Sequence, residues 1–559
     1  MSRLTFVTAY MNIFETPIDN KDNNWRYEQF EKIANTGINI CLYTDSVSYN
    51  DLSIIITKYS NVKLMQIINL EDTFCYKTLN SIQYSLPNIR NINKDTEKYM
   101  FVQQSKIEFL NNTIEHNPWD STHFAWIDFS IAYILKNLDD TSNYLSVLSM
   151  RRFQEKILLF PTCWDSLEKH NVENILNKIY WRFCGGFFLG DIQSIHHFFD
   201  LYKTNLESFV REHNKLIWEV NFWAWLEAFT DFKPEIYKAD HNDCIFNIPT
   251  KYYALCLYDS LEKTVYNYPH IENFFPSSPS YLYHSPTGQH ILNTRYVNYS
   301  YSPSGHYSIN HPKDTLITKN IVSLLDNNLI PSEFREMNDS NITLTNHDTY
   351  SVGLEDIRLY SFDNTIRFIA TNVNYVGDRK NRIIIGNYNY NELSYSDYKI
   401  IEPPTNTGCE KNWVPLVLNN QEYFIYKWSP FQFGKINIET NQLEITQSYE
   451  IKSPDFHRIR GSTIFIDNGE NLLGVVHFCE ETWPRQYYHL LVTLDKTTFK
   501  PISYSDPFCF QHYGVEFCIG FTIQHEKYVF WISKKDNNAI MVSVDKDKIP
   551  ICHSIFPCL

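Results

Sequence analysis

The chain has 559 residues, of which 43% are apolar, with 39 Tyr, 38 Phe and 12 Trp, and its formal net charge is -15. That length exceeds one ordinary core and predicts at least two domains, while the apolar and aromatic content excludes a disordered chain. The charge excludes a general nucleic-acid binder, which needs a concentrated basic face to displace counterions.

The twelve Cys lack paired or zinc-type spacing and read as buried, reduced thiols. No run of about 18 apolar residues could span a bilayer, and the opening MSRLTFVTAYMNIF lacks a secretory signature. A soluble, cytoplasmic protein is expected. The heavy use of Asn, Ile, Tyr and Lys suggests an AT-rich genome, such as that of a large virus or a protist.

In chain order, LTFVTAYM (4–11) predicts a strand, NWRYEQFEKIANT (24–36) a helix, and INICLYT (38–44) and VKLMQIINL (62–70) two further strands. A long helix over about 98–116 leads into HFAWIDF (123–129), followed by EKILLFPTC (155–163), IYWRFCGGFFLGD (179–191) and helices near 192–213 and 219–230. Strands separated by helices of this length imply βαβ units and a mostly parallel, Rossmann-like sheet, with ligands at the strands' carboxyl ends. The Pro- and Ser-rich stretch 267–288 reads as a linker between domains 1–266 and 289–559. Beyond it, paired strands joined by polar turns recur, with aligned apolar positions Phe368, Phe424, Leu473 and Val529. An all-β repeat of roughly 50 residues predicts a five-bladed β-propeller, with two stacked sandwiches as the competing fold.

In the first half Asp128 stands at a strand's carboxyl end, where a carboxylate acts as a helix cap, a metal ligand or a base. Gly185 and Gly186 allow a backbone to approach a ligand closely, and Asp191 can cap the helix that follows. Glu219 opens an aromatic helix, a place where a helix-end charge is the commoner role than a base. His241 is either a surface histidine or a late metal ligand.

The order of TFVTAYMNIF, HNPWDSTHFAWIDFSI, FCGGFFLGD and IWEVNFWAW over about 250 residues resembles the HtrL/YibB family of bacterial glycosyltransferase-like proteins. The resemblance implies a GT-A fold with a nucleotide-sugar across the sheet's carboxyl edge. It implies Thr8, Tyr10, Asp128, Gly185 and Gly186 as donor-binding residues, with Asp128 holding Mn²⁺ or Mg²⁺ against the diphosphate and Glu219 as acceptor base. Ser130 stands where that family usually has glycine, and no second Asp stands at the DxD spacing.

In the second half GLEDIR (353–358) places Asp356 and Arg358 on one strand face by the period of two, as a buried ion pair would be. GCEKNW, RGST, LLGVVH, RQYYH and GVEFC each set a charge beside apolar strand residues, which suggests side chains converging on a propeller's mouth. These stretches resemble the five-bladed propellers of the inverting mannoside phosphorylase and hydrolase family. The resemblance implies Asp356 as general acid, Arg358 as substrate or phosphate ligand, and Lys411, Arg460, His477, Arg485 and His489 as further glycan- or phosphate-binding groups. Glu516 is the candidate second carboxylate for hydrolysis, and Trp413, Trp428 and Tyr487 are candidate stacking surfaces.

The expectation is a glycosyltransferase, with a nucleotide-sugar donor and a glycan or other hydroxyl acceptor, joined to a propeller that binds or processes glycans. The alternatives are a mannoside phosphorylase or glycosidase centred on the propeller, and a non-catalytic glycan-binding protein.

Overall fold

A computed structural model describes residues 3–14, 16–18, 20–302, 306–312, 315–342, 351–372, 380–482, 485–511 and 514–555. The chain divides into two compact units, Met1–Tyr253 and Ala254–Leu559. Among the described residues no helix is long and apolar enough to cross a membrane.

The first unit is α/β. Its sheet contains β1 (Leu4–Tyr10), β2 (Ile40–Thr44), β3 (Val62–Ile67), β4 (His123–Ile127), β5 (Leu158–Thr162), β6 (Phe187–Asp191) and β7 (Glu235–Lys238), in the order β3-β2-β1-β4-β6-β5-β7. β1 pairs in parallel with β2 and β4, whereas β6 runs antiparallel to both β4 and β5, so the sheet is mixed. The central strands are buried throughout and mostly apolar because both faces are covered. Along β1, Val7 and Ala9 join one core with Trp126 and Phe188, while Phe6 and Tyr10 join a second with Ile127 and Phe187. The chain winds outward from β1 to β3 and then returns to place β4 on the other side of β1. That is a topological switch point, where a crevice opens at the strands' carboxyl ends.

Two local expectations change here. The helix expected over 98–116 is broken at Ser105 into Glu97–Gln104 and Lys106–His116, and the Ser105 hydroxyl bonds back to the Phe101 carbonyl at 2.8 Å. Downstream of Asp128 the chain makes only a short 3-10 turn, Ile131–Ile134, whose cap is Ser130, so Asp128 is no helix cap. Asp191 does cap its helix, Ile192–His213, accepting from Ser194 N at 2.7 Å.

The second unit is all-β and propeller-like. Strands Glu355–Phe362 to Ser394–Ile401 form one four-stranded antiparallel meander and Val414–Leu418 to Leu443–Tyr449 another. A sheet built from Phe275–His284, Gln289–Val297 and Leu316–Leu325 precedes them, and an eight-stranded sheet centred on Asn471–Glu480 and Gln486–Asp495 follows. In the last sheet Glu262–Thr264, from the start of the unit, pairs with Asn538–Asp545 and completes four strands. Sheet sizes therefore depart from the regular four-stranded repeat expected. The four aligned residues Phe368, Phe424, Leu473 and Val529 nevertheless fall on inner strands and are all buried.

The expected boundary also moves. Residues 254–266 contribute strands to the second unit, and the stretch read as a linker contains Phe275–His284, largely buried and paired with Gln289–Val297.

Candidate functional sites

In the α/β unit a cavity of about 1030 Å³ opens at the carboxyl ends of β1 and β4. Its wall includes Tyr10, Trp25, Arg26, Tyr99, Lys106, Trp126, Asp128, Tyr133, Gly185, Gly186, Glu219 and His241. The helix break at Ser105 starts a new helix at Lys106, whose side chain is only 2% exposed. Its ammonium donates to Glu219 Oε1 at 2.8 Å and to the Gly185 carbonyl at 2.8 Å, and lies 3.0 Å from Asp128 Oδ1. Trp126 Nε1 also donates to Asp128 Oδ1, at 2.7 Å. Burial alone would lower the Lys106 pKa, but Asp128 and Glu219 outweigh it and hold the pKa above its ordinary value.

Asp128 keeps 41% of its side chain exposed, so its carboxylate is held in place yet open to a ligand. Glu219 differs: its side chain is 5% exposed and it serves as counter-ion to Lys106. That position suits a carboxylate that orients the lysine and does not suit the acceptor base expected. Gly185 has a related cause, since a Cβ there would stand 2.5 Å from Glu219 Oε1 and 2.8 Å from Val220, whereas a Cβ at Gly186 would meet its neighbours only at 3.4 Å or more. Tyr10 lines the cavity and donates to Asn23 Oδ1 at 2.6 Å. Thr8 is enclosed within the sheet, off the cavity wall, and is no donor-binding residue.

Sequence reasoning missed Lys106 and the aromatic rim. Lys21 Nζ sits 4.3 Å from the Tyr133 ring centre and 5.1 Å from that of Trp25, and Tyr133 is exposed. Such a cation and ring group is a surface on which a flat base or a sugar can stack.

In the all-β unit Asp356 adopts φ 53°, at a bulge between Glu355 and Arg358, and accepts from Arg295 Nη1 at 2.8 Å. Arg295 Nη2 donates to the Tyr299 hydroxyl at 3.3 Å, and that hydroxyl lies 3.4 Å from Asp536 Oδ2. Burial, helped by Asp356 and opposed by Arg295, pushes Asp536 up to about 6. Asp356 thus holds the Arg295 guanidinium directly, Glu355 Oε2 lies 4.0 Å from its Nη2, and Asp536, reached through the Tyr299 hydroxyl, is the candidate second carboxylate here. Glu516, expected in that role, is buried elsewhere; it accepts from Phe510 N at 2.7 Å, and burial pushes it up to about 8.

The expected basic groups divide. Arg460 pairs in register with His477, and burial together with His489, Arg358, Arg460 and Lys411 pushes the His477 imidazole well below its usual range. Lys411, Arg460 and Arg485 are exposed, the last paired with Glu481 at 2.9 Å. Arg358 is buried, its guanidinium donating to the carbonyls of Asp356, Gly461 and Ser462 and to Asn412 Oδ1, so it clamps backbone rather than offering itself to an anion. His489 is 0% exposed and packs against Phe508 and Phe510. Trp413 and Trp428 are buried core residues and leave Tyr487, half-buried, as the stacking candidate.

Residues 2–217 match the family model described as "Bacterial protein of unknown function (HtrL_YibB)", a description that assigns this chain no activity. No curated protein matches the chain. Among solved structures it is similar to a β-1,2-mannobiose phosphorylase from Listeria innocua, with 10% identity, a TM-score of 0.36, and coverage of 52% of this chain and 97% of that one. It is also similar to a mannose phosphorylase from Leishmania mexicana solved with phosphate ion, with 14% identity, a TM-score of 0.33, and coverage of 53% and 93% respectively.

Proposed function

We propose that the α/β unit is a GT-A-type glycosyltransferase that moves a sugar from a nucleotide-sugar to a glycan or other hydroxyl acceptor. The observation that carries this reading is the cavity at the switch point, where a buried lysine holds an open carboxylate at a strand's carboxyl end. The aromatic rim at Trp25 and Tyr133 accepts the flat parts of the donor. Lys106 sets a fixed positive charge beside Asp128, where negative charge grows as the diphosphate departs, and fixed charges cost no reorganisation at that moment. Glu219 keeps Lys106 charged and aimed.

The residues fit Mn²⁺ or Mg²⁺ in a limited way. Asp128 Oδ1 is engaged by Trp126 and Lys106, so Oδ2 is the oxygen that would hold a hard cation. When bound, such a cation polarises the diphosphate as a Lewis acid.

A thermal-shift panel of nucleotide-sugars, with and without Mn²⁺, tests donor binding, because a ligand of the folded state alone raises the melting temperature. Asp128→Ala is expected to abolish sugar transfer and donor hydrolysis while the protein stays folded, since Lys106 retains Glu219. Normal turnover in that variant would remove Asp128 from the mechanism.

A second reading has its own observation, Asp356 held by Arg295 with Asp536 joined to the same group through the Tyr299 hydroxyl. It makes the propeller-like all-β unit a mannoside phosphorylase or hydrolase. Asp356 or Asp536 would then protonate the leaving oxygen, with phosphate or water as nucleophile.

A further inference from the structure

Three strand ends meet at one edge of the α/β unit. Thr162, last in β5, bridges Phe183, and Cys184 N donates to the Pro161 carbonyl at 2.9 Å, which sets Cys163 opposite Cys184 with their sulfurs 3.1 Å apart. β7 runs parallel to β5, and Ala239 N donates to the Thr162 carbonyl at 2.9 Å, so the chain leaving β7 delivers Asp240 and His241 to the same place. His241 Nδ1 lies 3.7 Å and Asp240 Oδ1 3.9 Å from Cys163 Sγ. The ligand atoms of Cys163, Cys184 and His241 all fall within 4.8 Å of one another. The His241 ring packs edge-on against Trp181 at 4.3 Å, which fixes the direction of Nδ1.

We infer that Cys163, Cys184 and His241 form a three-residue zinc site that ties the ends of β5, β6 and β7 together, its fourth position facing solvent beside Asp240. Two thiolates and an imidazole suit a borderline-soft ion with tetrahedral preference and do not suit the hard cations a diphosphate recruits. With Zn–S bonds near 2.3 Å, tetrahedral ligation sets two sulfurs about 3.8 Å apart. A disulfide needs them about 2.0 Å apart and gives His241 no part. The sulfurs stand nearer the first separation, and His241 is in place as the third ligand. Because Trp181 and His241 line the cavity, the ion would fix part of its wall. The site stands whether or not the sugar-transfer reading does.

The test uses the full chain, stripped with a chelator and titrated with Zn²⁺ and separately with Co²⁺. The expected result is one Zn²⁺ per chain, a higher melting temperature, and the thiolate-to-cobalt charge-transfer and tetrahedral ligand-field bands on Co²⁺ loading. Cys163→Ser and His241→Ala should both lose those bands and the thermal shift, and Cys409→Ser, at an exposed cysteine of the other unit, should keep them. His241 is exposed, so its variant remains folded even where the half-buried Cys163 variant does not. Zinc binding unchanged in His241→Ala and Cys163→Ser would overturn the proposal. So would a Cys163–Cys184 disulfide in peptide mapping of unreduced protein that binds no metal.

Discussion

Replacing Lys106 by Met removes the ammonium and keeps most of the side chain's volume, leaving Asp128 and Glu219 without their shared cation. The two losses are unequal. Asp128 is 41% exposed, and water can take over much of its stabilisation. Glu219, 5% exposed, becomes an uncompensated buried charge, and breaking a buried pair in this way costs about 3–5 kcal/mol. For a domain of this size that is a fall of about 6–20 °C in Tm, read by calorimetry on the full chain. Adding Glu219→Gln removes the buried charge, and the double variant should recover most of the loss. Donor turnover should fail in both. A Lys106→Met protein within about 1 kcal/mol of the parent, or a double variant whose deficit is the sum of the two singles, would refute the claim that Lys106 holds this site together.

The remaining predictions concern the all-β unit. Glu516 has a folded pKa raised from 4.5 to about 8, so its contribution is fully present below the unfolded value and is lost as pH rises through about 8. Glu516→Gln should flatten the stability profile across that window in denaturant melts, and a profile unchanged from the parent would show that another group causes the slope. If the Asp356 and Asp536 pair is catalytic, Asp356→Asn and Asp536→Asn should each slow phosphate-dependent cleavage of mannose-containing oligosaccharides by about 100-fold or more, measured as phosphate consumed. Parent-like rates in both variants would leave the pair as a structural clamp on Arg295.

Much of the α/β unit was legible because its central strands are buried on both faces and therefore mostly apolar, which marks their length and their ends. Asp128 was legible for the same reason: a charge directly after such a run stands where the strand leaves the core. The linker was misread for a physical reason. Phe275–His284 lies at the edge of its sheet, and its register shifts between Pro276 and Pro279, so prolines that a central strand would exclude sit at a bulge. Composition reports the prolines and not the edge.

Lys106 and Asp536 escaped detection for a shared reason. In VQQSKIEF a lysine at helical spacing reads as a solvated charge, and in SKKDNNA an aspartate reads as a hairpin turn. Each acquires a role only through a partner distant along the chain: Glu219, 113 residues from Lys106, and Tyr299, 237 residues from Asp536. A lone charge is too costly to bury, so an unpaired lysine at position 106 would be driven to the surface. Its burial requires the helix break at Ser105 and the helix that starts at Glu219 to arrive together. Neither segment carries that requirement by itself, and local pattern therefore finds the exposed end of this site, Asp128, before the buried lysine that holds it.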